Sequence, residues 1–400
     1  LNKNVLCTVT IYQKPLKNFS GPNVLNLTYW SESIIPSTSA NSIQVMKMCE
    51  AFSTIGNTTT LHAKKPNKPP MLRGTNLPKF YGVSSDFKVL CHTSHKLIKH
   101  VDYDLIVSIN VLKDKPDLLY TRSLRGALFA CYYNIPFILE LHFLPTTQKS
   151  SWILKKMAKS NSIKKIIVIS QKLKDLLLEA HPYLASLIIE VHHDAVDIQK
   201  FGKSNTNLAL EKTNLNLNPN RKVVMYVGNL YKGRGIDLIE QLAQTLPEID
   251  FIIIGGSGND LLDRKTKSLQ MGINNLIYYG FIPNSELHDY YEIADLLIMP
   301  YQNQVSVSGG GDTSKWMSPM KTFEYMASGK PLISSDLPVL REVLDEDVAI
   351  LVDANNLEQW KSSIQNALTN TALTNRIVEN ARQKAQQNTW ECRAFKILSS

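Results

Sequence analysis

The richest stretch for chemistry lies at residues 309–336. A glycine run at 309–311 precedes Asp312, and good helix formers follow Pro319. A loop of this kind that leads into a helix N-terminus attracts phosphate, because backbone N–H groups are left free there and the helix dipole adds to their positive potential. Glu324, about one turn into the predicted helix, is placed to accept hydrogen bonds from a ribose diol. The stretch therefore predicts a nucleotide site, and a plain surface loop with a packing helix is the alternative.

A basic turn follows the apolar run at 223–227. Gly228 permits a tight exit from a strand, and Lys232 and Arg234 come soon after it. Arginine is suited to bidentate contacts with phosphate, so this turn predicts a clamp over a diphosphate. Taken alone, the same residues also fit an exposed basic loop between a strand and a helix.

The first half of the chain has polar residues at the same kind of position. Small residues lead into an apolar-periodic helix, with Ser39 or Asn41 as its N-cap. His142 follows the apolar run 136–141, at the expected carboxyl end of a buried strand, where α/β proteins bind their ligands. A plain capped helix and a structural histidine are the alternative interpretations.

The rhythm of the chain predicts the scaffold for these residues. Short β-branched runs alternate with amphipathic stretches, which is typical of βαβ units around a buried parallel sheet. The predicted strands are 24–29, 58–63, 105–108, 117–120, 136–141, 165–170, 223–227, 251–254, 276–279, 296–299, 331–334 and 349–352. At about 100–200 residues per domain, the 400 residues indicate two doubly wound α/β domains.

The domain boundary is expected where the periodicity fades. We predict a first domain over 1–203, in which 1–23 are unassigned, and a linker over 204–220, which is rich in Asn, Thr and Leu. A second domain follows over 221–377, and a C-terminal helix over 378–400. The ligand-binding edges of two such sheets, facing each other across a cleft, would suit a reaction that must exclude water.

Charge is distributed unevenly along the chain, whose net charge is +9. Residues 1–200 hold 25 Lys and Arg against 13 Asp and Glu, whereas residues 201–400 hold 19 against 22. The basic first half predicts a phosphate-bearing substrate or an anionic membrane surface as partner, with a solvated basic face as the alternative. Nucleic acid is not expected, because no run of aromatic residues is interleaved with the basic ones.

Cysteine usage and hydropathy indicate the compartment. The five cysteines form no Cys-x-x-Cys pair and no Cys/His cluster, so the sequence predicts neither a disulfide framework nor a metal site. No apolar run approaches the roughly 18 residues that span a bilayer. The segment 152–159 has the pattern of a basic amphipathic helix, so we expect a cytoplasmic protein that can lie at the inner face of the membrane.

Taken together and in this order, these stretches resemble the family 4 glycosyltransferases, which have the GT-B fold. The resemblance runs from residue 24 to the end of the chain and is strongest in 227–237, 251–256, 280–301 and 318–336. Its most specific part is Glu-Tyr-Met-Ala-Ser-Gly-Lys-Pro after Ser-Pro-x-Lys. The resemblance implies that the C-terminal domain binds a nucleotide-diphosphate sugar and the N-terminal domain the acceptor. It also implies that the last helix crosses back onto the N-terminal domain.

The resemblance assigns expected roles to individual residues. Arg234 matches the residue that neutralises the diphosphate leaving group, His142 the histidine that contacts the donor sugar near the reacting carbon, and Glu324 the ribose-binding glutamate. The expected donor-binding residues are Gly228, Asn229, Lys232, Gly309, Gly310, Gly311, Asp312, Ser318, Met320, Lys321 and Glu324. The expected acceptor-side residues are Ser39, Asn41, Ser42 and Arg122. No metal and no other cofactor is expected.

Two positions depart from the family pattern. Trp316 stands eight residues before Glu324, where the family has a glutamate that contacts the donor sugar, and Asp312 is a candidate substitute. Asn229 stands where the phosphate clamp usually begins with a basic residue, for which Lys232 or Lys321 is a candidate.

The function predicted is therefore a retaining, metal-independent transfer of a sugar from a UDP- or GDP-type donor. The acceptor is expected to be a hydroxyl of a glycan or a lipid-linked acceptor, in the synthesis of a surface polysaccharide or glycolipid. The alternatives are an epimerase or phosphorylase of the same fold, and a nucleotide-sugar-binding protein that has lost catalysis through the two departures.

Overall fold

Two compact units make up the fold. Unit 1 takes the chain up to His193 and again from Trp390, and unit 2 takes Asp194–Thr389. The structure, a computed structural model, describes residues 24–66, 76–84, 86–95, 101–202, 212–213, 215, 217–306 and 311–399.

Each unit is built on one fully parallel sheet. The strands of unit 1 are β1 Asn26–Ile34, β2 Thr58–Lys64, β3 Lys88–His92, β4 Leu118–Thr121, β5 Phe137–Leu141, β6 Ile163–Val168 and β7 Ile189–Val191. Those of unit 2 are β8 Val223–Val227, β9 Asp250–Ile254, β10 Leu276–Gly280, β11 Leu296–Met299, β12 Leu332–Ser335 and β13 Ile350–Val352. Their orders, β3-β2-β1-β4-β5-β6-β7 and β10-β9-β8-β11-β12-β13, reverse direction beside β1 and β8.

Helices connect the strands. In unit 1 they are α1 Ala40–Thr54, α2 Leu77–Tyr81, α3 Val101–Asp114, α4 Leu124–Tyr133, α5 Gln148–Met157 and α6 Gln171–Ala180. In unit 2 they are α7 Ile236–Thr245, α8 Gly258–Gln270, α9 Leu287–Ile293, α10 Met320–Ser328, α11 Leu357–Thr369 and α12 Thr371–Gln386. Helix α13, Trp390–Ser399, packs against α1 in unit 1.

Burial on both faces explains why the central strands have nearly continuous apolar sequences. Every residue of β8 and β9 is buried, and their parallel register pairs Val224 with Phe251. Strands covered by helices on both faces have no solvent-facing side on which to place polar residues. The same parallel arrangement brings the carboxyl ends of the strands to one edge of each sheet, and the loops at that edge carry the polar residues.

The observed strands confirm all but one of the predicted strands. The strand predicted over 105–108 is wrong, because these residues lie inside the helix α3. Three buried residues of α3, Tyr103, Val107 and Val111, are four apart, which is a helical period and not the alternation of a strand. The short strand β3, at one edge of the sheet, was not predicted, and it is only partly buried.

The boundaries of the units differ from those predicted. The chain changes unit after His193 and not after residue 203, because the Val196 N–H donates to the Asn388 carbonyl at 3.0 Å, within unit 2. The predicted division at 377/378 falls inside α12, which packs against α10. The final helix begins at Trp390 and not at residue 378. The predicted extension 1–23 lies outside the described residues, as does most of the predicted linker.

Candidate functional site

In unit 2, two loops meet at the point where the strand order reverses. The loop after β8 is tied to the loop after β11 by hydrogen bonds from Gln302 N–H to the Gly233 carbonyl (2.8 Å) and from Ser306 N–H to the Lys232 carbonyl (3.0 Å). Gly233 has a φ of +84°, and a Cβ there would overlap the Gln304 carbonyl. Glycine is therefore required where the two backbones approach each other. A doubly wound sheet binds its ligands at this edge.

Arg234 projects from this joined pair of loops. Its guanidinium carbon lies 4.6 Å from the centre of the Tyr301 ring, and its Nε is buried without a hydrogen-bond partner among the described residues. Burial alone would lower the pKa of Arg234, but the Tyr301 and Tyr226 hydroxyls raise it. The stacked ring holds the cation in place and leaves it able to donate to a ligand.

The neighbouring donor-site candidates are more exposed. The Lys232 and Asn229 side chains are exposed, and the Asn229 carbonyl accepts a hydrogen bond from the Tyr226 hydroxyl at 2.9 Å. Gly228, at the end of β8, lies close enough to the Tyr226 ring that a side chain would collide with it. The Lys232 side chain is thus exposed to solvent, whereas the Arg234 side chain is held against the Tyr301 ring.

Helix α10 follows β11 and supplies the carboxylate. Pro319 directly precedes it, no side chain caps its first turn, and it ends at Gly329 with a φ of +75°. The Ser318 hydroxyl accepts the Asp194 N–H at 2.9 Å, so this side chain is engaged within the unit. The uncapped N-terminus at Met320 is the anion-attracting feature that the sequence predicts.

Glu324 lies in the second turn of α10 and is nearly buried. Its Oε2 accepts the Tyr291 hydroxyl at 2.7 Å and the Lys321 ammonium at 2.5 Å, and its Oε1 accepts only a long bond, 3.4 Å, from Asn284. Burial and the Glu324 charge raise the pKa of Tyr291 well above its usual range, so this hydroxyl stays a donor. One carboxylate oxygen is fixed and the other has acceptor capacity left. Lys321 is thus paired with Glu324 at the candidate site of unit 2.

The glycine-rich loop is described only in part. Gly309 and Gly310 lie outside the described residues, whereas Gly311 is exposed. Asp312 accepts the N–H groups of Val305 and Ser314 at 2.9 Å through Oδ1; burial would raise its pKa, but these two hydrogen bonds lower it. Asp312 thus stabilises its own loop through one of its two oxygens.

In unit 1, a cavity of about 460 Å³ lies at the carboxyl ends of β1, β4 and β5. Of the residues predicted on this side, Asn41, Arg122 and His142 line it. Ser39 and Ser42 do not. Ser39 caps α1 by accepting the Ser42 N–H at 3.2 Å, and the Ser42 hydroxyl bonds to nearby backbone carbonyls.

A buried network holds His142. Its Nε2 donates to Glu140 Oε1 at 2.6 Å, and Arg393 of α13 donates to the same oxygen at 2.7 Å. The Tyr120 hydroxyl donates to the other oxygen, and the Gln44 amide lies 3.2 Å from the first. Glu140 is fully buried and Arg393 almost so. The network fixes both the orientation and the tautomer of the imidazole ring.

The charges in this network determine its protonation. Burial would raise the pKa of Glu140, but Arg393 and His142 hold it well below its usual range. Burial, together with the Arg122 cation, lowers the pKa of His142 to about 4. At neutral pH the ring is therefore uncharged, its Nε2 proton points to Glu140, and Nδ1 carries a lone pair that can accept a hydrogen bond.

Comparison with known proteins identifies the C-terminal half. Residues 209–384 match the family described as "Glycosyl transferases group 1". The match covers slightly less than half of the chain, and over these residues the chain is similar to a glycosyltransferase family. The predicted resemblance is confirmed there, and the match contains both Arg234 and Glu324.

Curated proteins that are similar to this chain match only part of it. An alpha-galactosylglucosyldiacylglycerol synthase from Streptococcus pneumoniae is 24% identical over 44% of this chain and 44% of the relative. A D-inositol 3-phosphate glycosyltransferase from Mycobacteroides abscessus is 25% identical over 53% of this chain and 46% of the relative. The chain therefore spans less than half the length of both relatives.

Solved structures match nearly the whole chain in fold. The crystal structure of Anabaena Alr3699/HepE in complex with UDP has a TM-score of 0.72 and 16% identity, and covers 94% of this chain and 98% of that one. A glycosyltransferase from Rickettsia africae also has a TM-score of 0.72, with 15% identity over 94% of this chain and 97% of that one. At such identities the likeness shows the fold alone, and it confirms the predicted GT-B class.

Several features of the two candidate sites were not predicted. Glu140 and His142 are two residues apart on one strand end, so they share a face, and this spacing was a signal in the sequence. Arg393 gave no such signal, because it lies 253 residues from Glu140. Within the described ranges, no group of three or more His, Cys, Asp or Glu side chains could hold a metal ion, and no described helix is long and apolar enough to cross a membrane.

Proposed function

We propose that this chain transfers a glycosyl group from a nucleotide-diphosphate sugar to a hydroxyl of a glycan or lipid-linked acceptor, with retention of anomeric configuration. The observation that carries the proposal is the family match over 209–384, in which Arg234 and Glu324 lie at the ligand-binding edge of the unit 2 sheet. The donor binds to unit 2, and unit 1 binds the acceptor.

The chemistry requires a stabilised leaving group. As the anomeric C–O bond breaks, positive charge grows on the sugar and negative charge on the departing diphosphate. The fixed guanidinium of Arg234, the mobile ammonium of Lys232 and the uncapped N-terminus of α10 would stabilise that diphosphate electrostatically. These groups supply positive charge without a metal ion, so we infer that transfer is metal-independent.

Glu324 binds the ribose of the donor in this proposal. Its Oε1 can accept a hydroxyl while Oε2 stays with Tyr291 and Lys321. His142 would contribute its Nδ1 lone pair to a hydroxyl of the donor sugar. The Anabaena structure of similar fold was solved with UDP and also with UDP-glucose, which favours uridine over guanosine as the donor base.

We infer that unit 1 also contacts an anionic membrane. Helix α5 has the predicted amphipathic character: Ile153, Leu154 and Met157 are buried, Trp152 is 46% exposed, and lysines occupy the exposed side. Lysines and an exposed tryptophan suit the interface of an acidic bilayer at the cytoplasmic face. In a flotation assay, the chain should move to the top fraction together with phosphatidylglycerol vesicles. An equal bound fraction for the K155Q/K156Q variant would contradict this role for α5.

A nucleotide panel tests the proposal. We expect one of UDP, GDP, ADP and CDP to raise the melting temperature of the full chain, equally with and without EDTA, because a ligand that binds only the folded state stabilises it. The responding nucleotide then defines the donor for transfer assays. An unchanged melting temperature with all four nucleotides would contradict the donor site. A shift that EDTA abolishes would contradict metal independence.

Variants separate the enzyme from the alternatives. We expect E324A to weaken binding of the responding nucleotide by about tenfold or more, because a charged hydrogen bond to the ribose is lost. The matched control E248A removes an exposed carboxylate of the same unit and should bind like the parent. A chain that binds the nucleotide but neither transfers nor hydrolyses its sugar would be the non-catalytic binding protein. Donor conversion without an acceptor would indicate an epimerase.

A further inference from the structure

The unit 1 cavity has an excess of positive charge. Its lining includes two carboxylates, and both are already paired. Glu140 binds Arg393 and His142, as described above. Glu32 accepts the Ser123 hydroxyl at 2.6 Å and the Lys64 ammonium at 3.0 Å. The Arg122 charge also acts on Glu140 and helps to lower its pKa, so two carboxylates are shared among a larger number of cations.

Three cations line the same cavity, and two of them have no carboxylate partner. Arg125 is paired, since it binds Asp104 at 2.7 Å and lies 3.4 Å from Glu32. Arg122 donates to the neutral amide oxygen of Gln44 at 2.9 Å. Lys149 is exposed at the cavity wall. In the part of unit 1 that the structure describes, neither Arg122 nor Lys149 forms an ion pair.

The backbone adds to this positive potential. Helices α1, α4 and α5 all begin at the cavity wall, where Asn41, Leu124 and Lys149 are within the first two residues of their helices. Each helix N-terminus carries a partial positive charge of about half an elementary unit. Three helix N-termini, each capped by one hydroxyl, and two cations without a carboxylate partner among the described residues therefore line one open cavity.

We propose that this cavity binds a phosphate ester carried by the acceptor, held by Arg122 and Lys149. The inference rests on the proposed function and extends it by naming the acceptor class. A phosphate ester carries up to two negative charges and three acceptor oxygens, which matches one guanidinium, one ammonium and the helix N-termini better than a neutral sugar does. The ester belongs either to a soluble sugar phosphate or to a phospholipid headgroup.

Calorimetric titration of the full chain tests the proposal with both sources. The soluble probes are glucose 6-phosphate and glucose. The lipid probes are phosphatidylcholine vesicles that carry either phosphatidic acid, a phosphate monoester, or diacylglycerol, its unphosphorylated counterpart. We expect one phosphorylated probe to bind, its unphosphorylated counterpart not to bind, and its affinity to fall as salt rises.

Variants locate the binding. R122Q/K149Q should weaken the responding probe by about tenfold or more, since two charge-assisted contacts are lost. K149Q alone, at an exposed position, should give a smaller loss and guards against misfolding of the double variant. The control K113Q removes an exposed lysine of unit 1 that does not line the cavity, and it should bind like the parent.

The outcomes separate this inference from the proposed function. Failure of both phosphorylated probes to bind, or an equal loss in K113Q and R122Q/K149Q, would overturn the phosphate site. The same samples are titrated with UDP, whose site is in unit 2 and should be unaffected by the unit 1 variants. Phosphate binding without nucleotide binding would leave the cavity assignment intact and refute the proposed function.

Discussion

The two units hold their charged residues in different ways. In unit 2, Arg234 rests on an aromatic ring, its Nε has no partner among the described residues, and one oxygen of Glu324 is only weakly bonded. In unit 1, Glu140 is buried and receives hydrogen bonds from four side chains, so its bonding capacity is filled from within the protein. Unit 2 thus leaves bonding capacity on Arg234 and Glu324, whereas in unit 1 the buried charge of Glu140 orients a neutral histidine.

This difference separates two costs of mutation. A buried carboxylate that loses its cation destabilises the fold, because an uncompensated charge is left in a medium of low dielectric. A cation that awaits a ligand can be removed with little change in stability, and the loss is seen only in the reaction. The predictions below test that division from the largest expected effect to the smallest.

We expect the largest effect from R393M. Breaking the buried pair with Glu140 should lower the free energy of unfolding by about 3–5 kcal/mol. Chemical denaturation of the two variants R393M and R393M/E140Q measures this. The double variant removes both charges and should recover a large part of the loss. If the double variant is no more stable than R393M, the pair is not what holds α13 in unit 1.

The R234Q variant should lose activity but little stability, unlike R393M. We expect transfer to fall by about 10²–10³-fold, because a fixed charge opposite the leaving diphosphate is lost, while stability changes by less than about 1 kcal/mol. Steady-state kinetics and a melting curve on the same sample give both numbers. The control R376Q removes an exposed arginine of the same unit. A large loss of stability in R234Q, or unchanged transfer, would contradict the contrast between the units.

The pH dependence of stability tests the protonation of His142 in unit 1. The pKa of His142 is about 4 in the folded chain, below its ordinary value of 6.5, so the unfolded chain binds the proton first as pH falls. The contribution of His142 to the free energy of unfolding is therefore constant above pH 6.5. Between pH 6.5 and 4 it falls by about 1.4 kcal/mol per pH unit.

H142Q should lose less stability than the parent over this acidic range. His62, His92 and His192, whose pKa values burial also lowers, remain in the variant, so we expect a part of the acid loss to persist. Denaturant midpoints at pH 7, 6, 5 and 4 measure the difference. Parallel curves for the parent and H142Q would show that His142 titrates normally.

The sequence predicted most of the fold, the candidate residues of unit 2, and three residues of the unit 1 cavity, namely Asn41, Arg122 and His142. Periodicity located the central strands because burial on both faces makes them continuously apolar, and it failed at 105–108, where a short apolar run in a helix has the same composition as a strand. The unit 2 residues were predictable because they lie in two contiguous motifs. The Glu140–Arg393 pair was not, since a contact across 253 residues leaves no local pattern.

The position of α13 bears on how the chain matures during synthesis. Unit 2 is one continuous segment, so all of its strands and helices have been made before residue 390 is added. Unit 1 is made first but lacks its last helix, and Glu140 has no arginine partner, until Arg393 emerges. Unit 1 with α13 in place is therefore completed only after the whole of unit 2 has been synthesised. A ribosome that stalls within unit 2 would expose a nascent unit 1 with an unmet buried charge, a natural target for chaperones.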